Sequence, residues 1–309
     1  MTAPRSWLVG PEAAGERLDK FLTRHCPELG RQGARSLSER GLVTVDGRRA
    51  VKARRLLPGE RVELHGQWGG APPAEPEAPL RIVLERADLV VVDKPAGQPT
   101  APLGELDAGT LAGALLGRYP EMLSVGYRAR EPGLLHRLDT STSGLVIAAR
   151  SAPVFEALRQ ALSREQLHKR YLAIVEHRGV PDTGVIERPL VPDPGSGRVR
   201  LAEPGDADAR QRVTRFRILE RRGPWALLEL TAPRAYRHQV RVHLASQGWP
   251  IAGDRDYGGS GVAALPGRHA LHASHVAWAG DEQVAAFSAD SPLPDDLRAF
   301  FETAELEAR

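Results

Sequence analysis

The run His136-Arg137-Leu138-Asp139-Thr140-Ser141-Thr142-Ser143-Gly144 decides how this chain is read. The apolar pair Leu134-Leu135 leads into it, and the strand-like run Leu145-Val146-Ile147-Ala148-Ala149 leads out. A carboxylate is therefore expected on a tight polar turn between two buried strands, where packing holds it still. A plain Asx-turn would use Asp139 only to accept hydrogen bonds from the backbone that follows it. Nine residues so rich in polar groups ask for more, because packing alone does not demand them.

The surrounding chain has 309 residues, enough for two domains, one with a sizeable core. Hydrophobic content of 41% and charged content of 26% are those of an ordinary soluble globular protein. No apolar run reaches the length of a membrane span, and the first ten residues lack a signal-peptide core. The single cysteine, Cys26, excludes an internal disulfide framework and a cysteine-based metal site. A cytoplasmic protein with no membrane partner is expected, and a monomer.

Charge is unevenly placed. Residues 1–64 carry 13 Lys+Arg against 8 Asp+Glu, whereas the remainder carries 29 against 31. A small basic module on a near-neutral body suggests that the module meets a polyanion. Within it, Leu18, Phe21 and Leu22 fall at helical spacing, and a second helix is expected from Arg31 to Arg40, ended by Gly41. Leu42 to Val45 reads as a strand, Asp46-Gly47 as a hairpin turn, and Arg61 to Leu64 as an alternating strand after the Pro58-Gly59 turn. Residues 66–79, with Gly69-Gly70 and four prolines, read as a linker. The expected organisation is a basic domain over 1–65, that linker, and a catalytic domain over 80–309.

In the body, Leu80 to Glu85 and Leu89 to Asp93 read as strands. Ser151 is placed to cap a helix whose Phe155, Leu158 and Leu162 form an apolar stripe. Val213 to Leu219, Ala226 to Leu230 and Val240 to Leu244 alternate as strands. Strands and helices in irregular order predict an α+β fold: a mixed, largely antiparallel central sheet flanked by helices, with a small N-terminal α/β domain.

Four segments together resemble the RluA family of pseudouridine synthases. The nine-residue run matches its His-Arg-Leu-Asp-x-x-Thr-Ser-Gly signature, and Lys94-Pro95-Ala96-Gly97 matches its Lys-Pro-x-Gly motif. Lys169-Arg170-Tyr171-Leu172-Ala173-Ile174-Val175 matches Lys-x-Tyr-x-Ala-x-Val, and His238-Gln239-Val240-Arg241-Val242-His243 matches His-Gln-Ile-Arg-Val-His. Residues 16–64 are similar to the small RNA-binding domain of a small-subunit ribosomal protein, often fused to such enzymes. Just before His238 the chain departs from the family, with Arg234-Ala235-Tyr236-Arg237 where Thr-Gly-Arg-Thr is usual.

The resemblance implies an isomerase that detaches uracil from its ribose, turns it, and rejoins it through carbon. No redox cofactor, nucleotide or hydrolytic water enters, so no cofactor is expected. One carboxylate beside the sugar suffices, as nucleophile or as base, whereas a glycosidase needs two. By resemblance Asp139 is that carboxylate, Tyr171 lies against the target base, and Arg241 pairs with Asp139 to keep it ionised. Arg137 would fill the stack vacated by a flipped uridine, or else pair with a nearby acid. Arg31, Arg35, Arg48, Arg49, Lys52, Arg54 and Arg55 are the expected phosphate contacts of the basic module, which favours ribosomal RNA as partner, with transfer RNA as the second candidate.

Three other readings are weighed. His238 and His243, five apart in an expected strand, face opposite ways, so a metal site is not expected. An aspartic protease needs two Asp-Thr/Ser-Gly runs whose carboxylates share a proton, whereas Asp139 is followed by Thr140-Ser141 and the chain holds a single such run, Asp182-Thr183-Gly184. An idle catalytic fold acting as a ribosome-assembly factor has only the Ala235-Tyr236 departure in its favour.

Overall fold

The computed structural model of the protein describes residues 4–26, 34, 37–38, 41–50, 54–65, 70–102, 107–177, 179–193, 197–233 and 235–303. Its N-terminal unit has strands β1 (Arg5–Leu8), β2 (Val43–Val45), β3 (Arg48–Arg49) and β4 (Arg61–Leu64), paired antiparallel in the order β1-β4-β2-β3. Helix α1 (Leu18–His25) buries Leu18, Phe21 and Leu22 against Val43, Val45, Val62 and Leu64. Asp46 and Gly47 both take positive φ (50° and 72°), which joins β2 to β3 by the tight hairpin expected of that pair. Ala34, Leu37 and Ser38 are helical; the rest of the expected Arg31–Arg40 helix lies outside the described residues.

The body is built on a ten-stranded sheet. Its strands are β5 (Ile82–Glu85), β6 (Leu89–Lys94), β7 (Ser143–Ala149), β8 (His168–Glu176), β9 (Thr183–Pro192), β10 (Val199–Leu201), β11 (Arg210–Arg222), β12 (Trp225–Thr231), β13 (Leu271–Trp278) and β14 (Phe287–Asp290). They run β10-β9-β11-β12-β8-β13-β7-β6-β5, with β14 also on β13. Every described pairing is antiparallel except β13 with β7. The fold is thus α+β with a mixed, largely antiparallel sheet. Its helices are α2 (Leu111–Arg118), α3 (Ala152–Ser163), α4 (Gln239–Ser246) and α5 (Asp295–Thr303). Among the described residues no helix is long and apolar enough to cross a membrane.

The central strands read as unbroken apolar runs because both of their faces are covered. Val90, Val92, Val146 and Ala148 join Leu111, Leu115, Leu244, Leu297 and Phe300 in one core. Their neighbours Leu89, Val91, Leu145 and Ile147 point the other way, into a second core with Phe155, Leu158 and Ala161 of α3. Each fully buried Val or Leu contributes roughly 1.5–3 kcal/mol, so these strands hold the Asp139 turn on a stiff base. At the entrance to β7, Gly144 has φ of 116°, and a Cβ there would fall 2.3 Å from the Ala273 carbonyl oxygen. Glycine ends the signature because no side chain fits.

Four expectations change. Leu134-Leu135 is not a strand; Leu134 makes a single bridge with Ala148, and Leu135 N–H donates to the Ile147 carbonyl at 3.0 Å. Ser151 sits at the N-cap of α3 but makes no side-chain capping bond; proline in the first turn fits there because the missing N–H would go unused anyway. The 240–244 run is helix α4, not a strand. Helix α4 is buried all round from Gln239 to Leu244, so no polar face marks its period, and Val240, Val242 and Leu244 imitate strand alternation. Lastly, the linker is bound where it can be described. Glu75 N–H donates to the Gly113 carbonyl at 3.0 Å, and the Glu75 carboxylate takes the Gly109 N–H. Gly113 and Gly117 lie one turn apart and open the groove in α2 that this segment fills.

Candidate active site

Asp139 lies in a cleft of about 1200 Å³ whose lining includes His136, Arg137, Tyr171, His238 and Arg241. The turn that carries it closes through Thr142 N–H to the backbone carbonyl of Asp139 (3.0 Å), which leaves the carboxylate free for side chains. Three neighbours fix the turn. Thr100 Oγ1 donates to the Leu138 carbonyl and accepts from its N–H, at 2.7 and 3.2 Å. Gly97 N–H donates to the Thr140 carbonyl at 2.8 Å. Thr142 Oγ1 is 2.7 Å from His269 Nε2.

Lys94 does the same work from below. It is fully buried, and its Nζ donates to the carbonyls of Pro95, Gln98 and Thr140 at 2.8, 2.8 and 3.3 Å. Burial lowers this ammonium to about 7, with the Asp139 charge opposing. The Lys-Pro-x-Gly loop is thereby tied to the turn that carries Asp139.

Arg241 is the hub of the site. It is 5% exposed, and Nη1 donates to Asp139 Oδ2 at 2.9 Å. Its other edge is clamped by Asp254 through Nε–Oδ2 and Nη2–Oδ1 bonds of 2.7 Å each, and Nη2 also reaches Asp256 at 3.1 Å. The bidentate clamp fixes the plane of the guanidinium, which is how one nitrogen is aimed at Asp139. Although burial works against it, these carboxylates hold Arg241 above its ordinary range, so its charge is permanent.

Tyr171, from β8, is 7% exposed and lines the same cleft. Burial first, and the Asp139 charge second, push its hydroxyl up to about 12, so it stays protonated at neutral pH. Burial lowers His136 to about 3, leaving a neutral ring whose Nε2 accepts from Ile147 N–H at 3.2 Å. Lys169, lowered to about 8 by burial, also lines the cleft.

Asp139, Tyr171 and Arg241 are therefore brought together, and Arg137 joins them. Arg137 Nη1 pairs with Glu131 at 2.8 Å while the side chain stays half exposed on the cleft, so the acid partner weighed from sequence is present. Arg159, Arg198, Arg212 and Arg237 add further cations to the lining. In the N-terminal unit Arg48, Arg49 and Arg55 are exposed; Arg54 pairs with Glu60, and Arg55 donates to the Gly15 carbonyl. Arg31, Arg35 and Lys52 lie outside the described residues. Sequence reasoning does not place Asp254, Asp256 and Tyr257 in the site. They contact Arg241 and His238 directly, and the signal that could have found them is the dense polar run Gly253-Asp254-Arg255-Asp256-Tyr257-Gly258. Among the described residues no group of three or more His, Cys, Asp or Glu could hold a metal ion.

A family model for RNA pseudouridylate synthase matches residues 88–246, which contain the Asp139 turn, Tyr171 and Arg241. This chain is a member of that family. Among its relatives is an RNA pseudouridine synthase of Chloroflexus aurantiacus, 36% identical over 300 residues, covering 94% of this chain and 90% of the relative. Ribosomal large subunit pseudouridine synthase D of Xanthomonas campestris pv. campestris is 34% identical over 310 residues, covering 95% and 90%. Among solved structures, human RNA pseudouridylate synthase domain containing 1 shares the fold at a TM-score of 0.58 and 24% identity, over 74% of this chain and 89% of that one. The protein is accordingly an RNA pseudouridine synthase of the RluA family, an isomerase.

Proposed function

We propose that this pseudouridine synthase isomerises uridines of large-subunit ribosomal RNA, with Asp139 as the essential carboxylate beside the ribose. The observation that carries the site assignment is the buried, doubly clamped Arg241 aimed at Asp139 on the floor of a cation-lined cleft. Asp254 takes Nε and Nη2 of Arg241 and leaves Nη1 to Asp139 on the cleft, an arrangement that suits a carboxylate kept charged and aimed at a substrate. Tyr171 supplies a neutral aromatic wall for the base, and Arg137 is placed to enter the stack that a flipped uridine leaves. Retention of all three side chains argues against an idle ribosome-assembly factor.

The target follows from two supports: relatives named for the large ribosomal subunit, and the basic N-terminal unit, read as an RNA-binding domain of the ribosomal-protein type. This reading places a monomeric enzyme with cytoplasmic RNA. Mapping pseudouridine in ribosomal and transfer RNA from cells with and without the gene tests it. Loss of a site in large-subunit RNA is expected; loss confined to transfer RNA would reassign the substrate.

A second measurement weighs the basic unit. Arg48→Gln with Arg49→Gln removes two exposed cations from a short edge strand, and an unchanged denaturation midpoint shows that the unit stays folded. The slope of log affinity against log salt should become shallower by roughly 0.7–0.9 for each phosphate that these cations neutralise in the parent. An unchanged slope would make these arginines a merely solvated face.

A further inference from the structure

His238 is held in a way that the reaction scheme so far leaves unused. It takes a left-handed backbone conformation, φ 58° and ψ 7°, uncommon for residues other than glycine. It is the N-cap of α4, three residues before Arg241, so one helix start places both side chains. Arg241 bonds Oδ2 of Asp139 at 2.9 Å, while His238 Nε2 faces Oδ1 at 3.6 Å.

The tautomer of this imidazole can be derived. Val199 N–H donates to Tyr257 Oη at 3.0 Å, and Oη lies 2.8 Å from His238 Nδ1. Burial raises the Tyr257 hydroxyl, so it keeps its proton. Among the described residues that proton has no other acceptor, so it goes to Nδ1 and the ring proton sits on Nε2. The opposite tautomer would turn a lone pair on the carboxylate and strand the Tyr257 proton. Both arguments select Nε2–H. The charged groups that face the ring are Asp139, Arg241, Arg237 and Asp256; burial outweighs them and keeps the ring below its ordinary range, hence neutral.

We propose that His238, oriented by Tyr257, is a positioning residue for Asp139: its Nε2–H steers Oδ1 while Arg241 holds Oδ2. The carboxylate is then presented to the ribose at one fixed angle, with Oδ1, the more loosely held oxygen, turned to react. Contacts of this kind run long before substrate binds and tighten with it. The proposal rests on Asp139 being the essential carboxylate.

The test uses the full-length protein labelled with ¹⁵N-histidine. Long-range ¹⁵N–¹H spectra should show an Nε2–H tautomer for the ring whose signals vanish in His238→Gln. Tyr257→Phe keeps the ring that packs under Arg241 but removes the proton donor. It should mix the tautomers and lower kcat by about tenfold, with RNA affinity held within about twofold. His238→Gln, which still offers an N–H at that reach, should retain more activity than His238→Ala. An Nδ1–H tautomer in the parent protein overturns the proposal. So does an unchanged kcat in both Tyr257→Phe and His238→Ala, or a loss confined to RNA affinity. Asp139→Asn is assayed alongside; if it turns over normally, the underlying site assignment fails, whereas the tautomer is read without turnover and separates the two failures.

Discussion

Asp139→Asn is expected to lower turnover by at least about 10⁴-fold while leaving RNA affinity and the unfolding midpoint close to those of the parent. Asparagine keeps the shape of the side chain and can still accept from Arg241 Nη1, but it can act neither as nucleophile nor as base. The fold is insulated from the change because Arg241 keeps its two bonds to Asp254 and its contact with Asp256. Single-turnover rates at saturating RNA, with binding measured separately, check both halves. Comparable turnover by the Asn variant would place the chemistry on another group of the cleft.

Arg241→Met should be the most destabilising substitution in the site. Methionine fills much of the volume, yet it leaves Asp254, which is 2% exposed, as a buried carboxylate without its cation. Breaking one side of a buried pair costs about 3–5 kcal/mol, and here Asp139 and Asp256 lose the same partner. Denaturant titration should show the midpoint falling with the slope unchanged, and activity should fall at temperatures where the variant is still folded. Arg241→Lys should lose less stability, because the charge remains. A point charge cannot serve Asp254 bidentately and also reach Asp139, so turnover should still drop. An unfolding free energy for Arg241→Met within about 1 kcal/mol of the parent would mean that water already solvates Asp254.

The parts of this molecule legible in the sequence are those whose period or turn chemistry stands alone. Arg61 to Leu64 alternates and is β4; Asp46-Gly47 makes the hairpin; the Phe155–Leu158 stripe faces a core. Asp139, Tyr171 and Arg241 come from three distant segments, and only the resemblance to known motifs joins them, since no spacing rule links a β7 turn, strand β8 and helix α4. Helix α4 escapes the sequence for a physical reason. A helix that is buried all round carries its polar residues inward, Gln239 to Thr214 and His243 to Thr214 and the Arg188 carbonyl, so the usual apolar stripe is missing. Asp254 and Tyr257 are easily underrated because their importance lies in what they aim rather than in what they touch on a substrate.

The docking of Glu75 on α2 changes what kind of connector joins the two parts. With Pro73, Glu75 and Pro76 seated on Gly113 and Gly117 of α2, covalent geometry caps the distance from His65 to Pro73 at about 29 Å. Under the proposed reading of the basic unit as an RNA contact, a connector of that reach makes the second contact intramolecular at high effective concentration, and only within a limited range of distances. On that reading the enzyme works as a ruler. It would favour uridines with a basic-unit landing site within that reach on the folded RNA, and inserting residues between His65 and Pro73 should then widen the choice of uridines before it weakens binding to any of them.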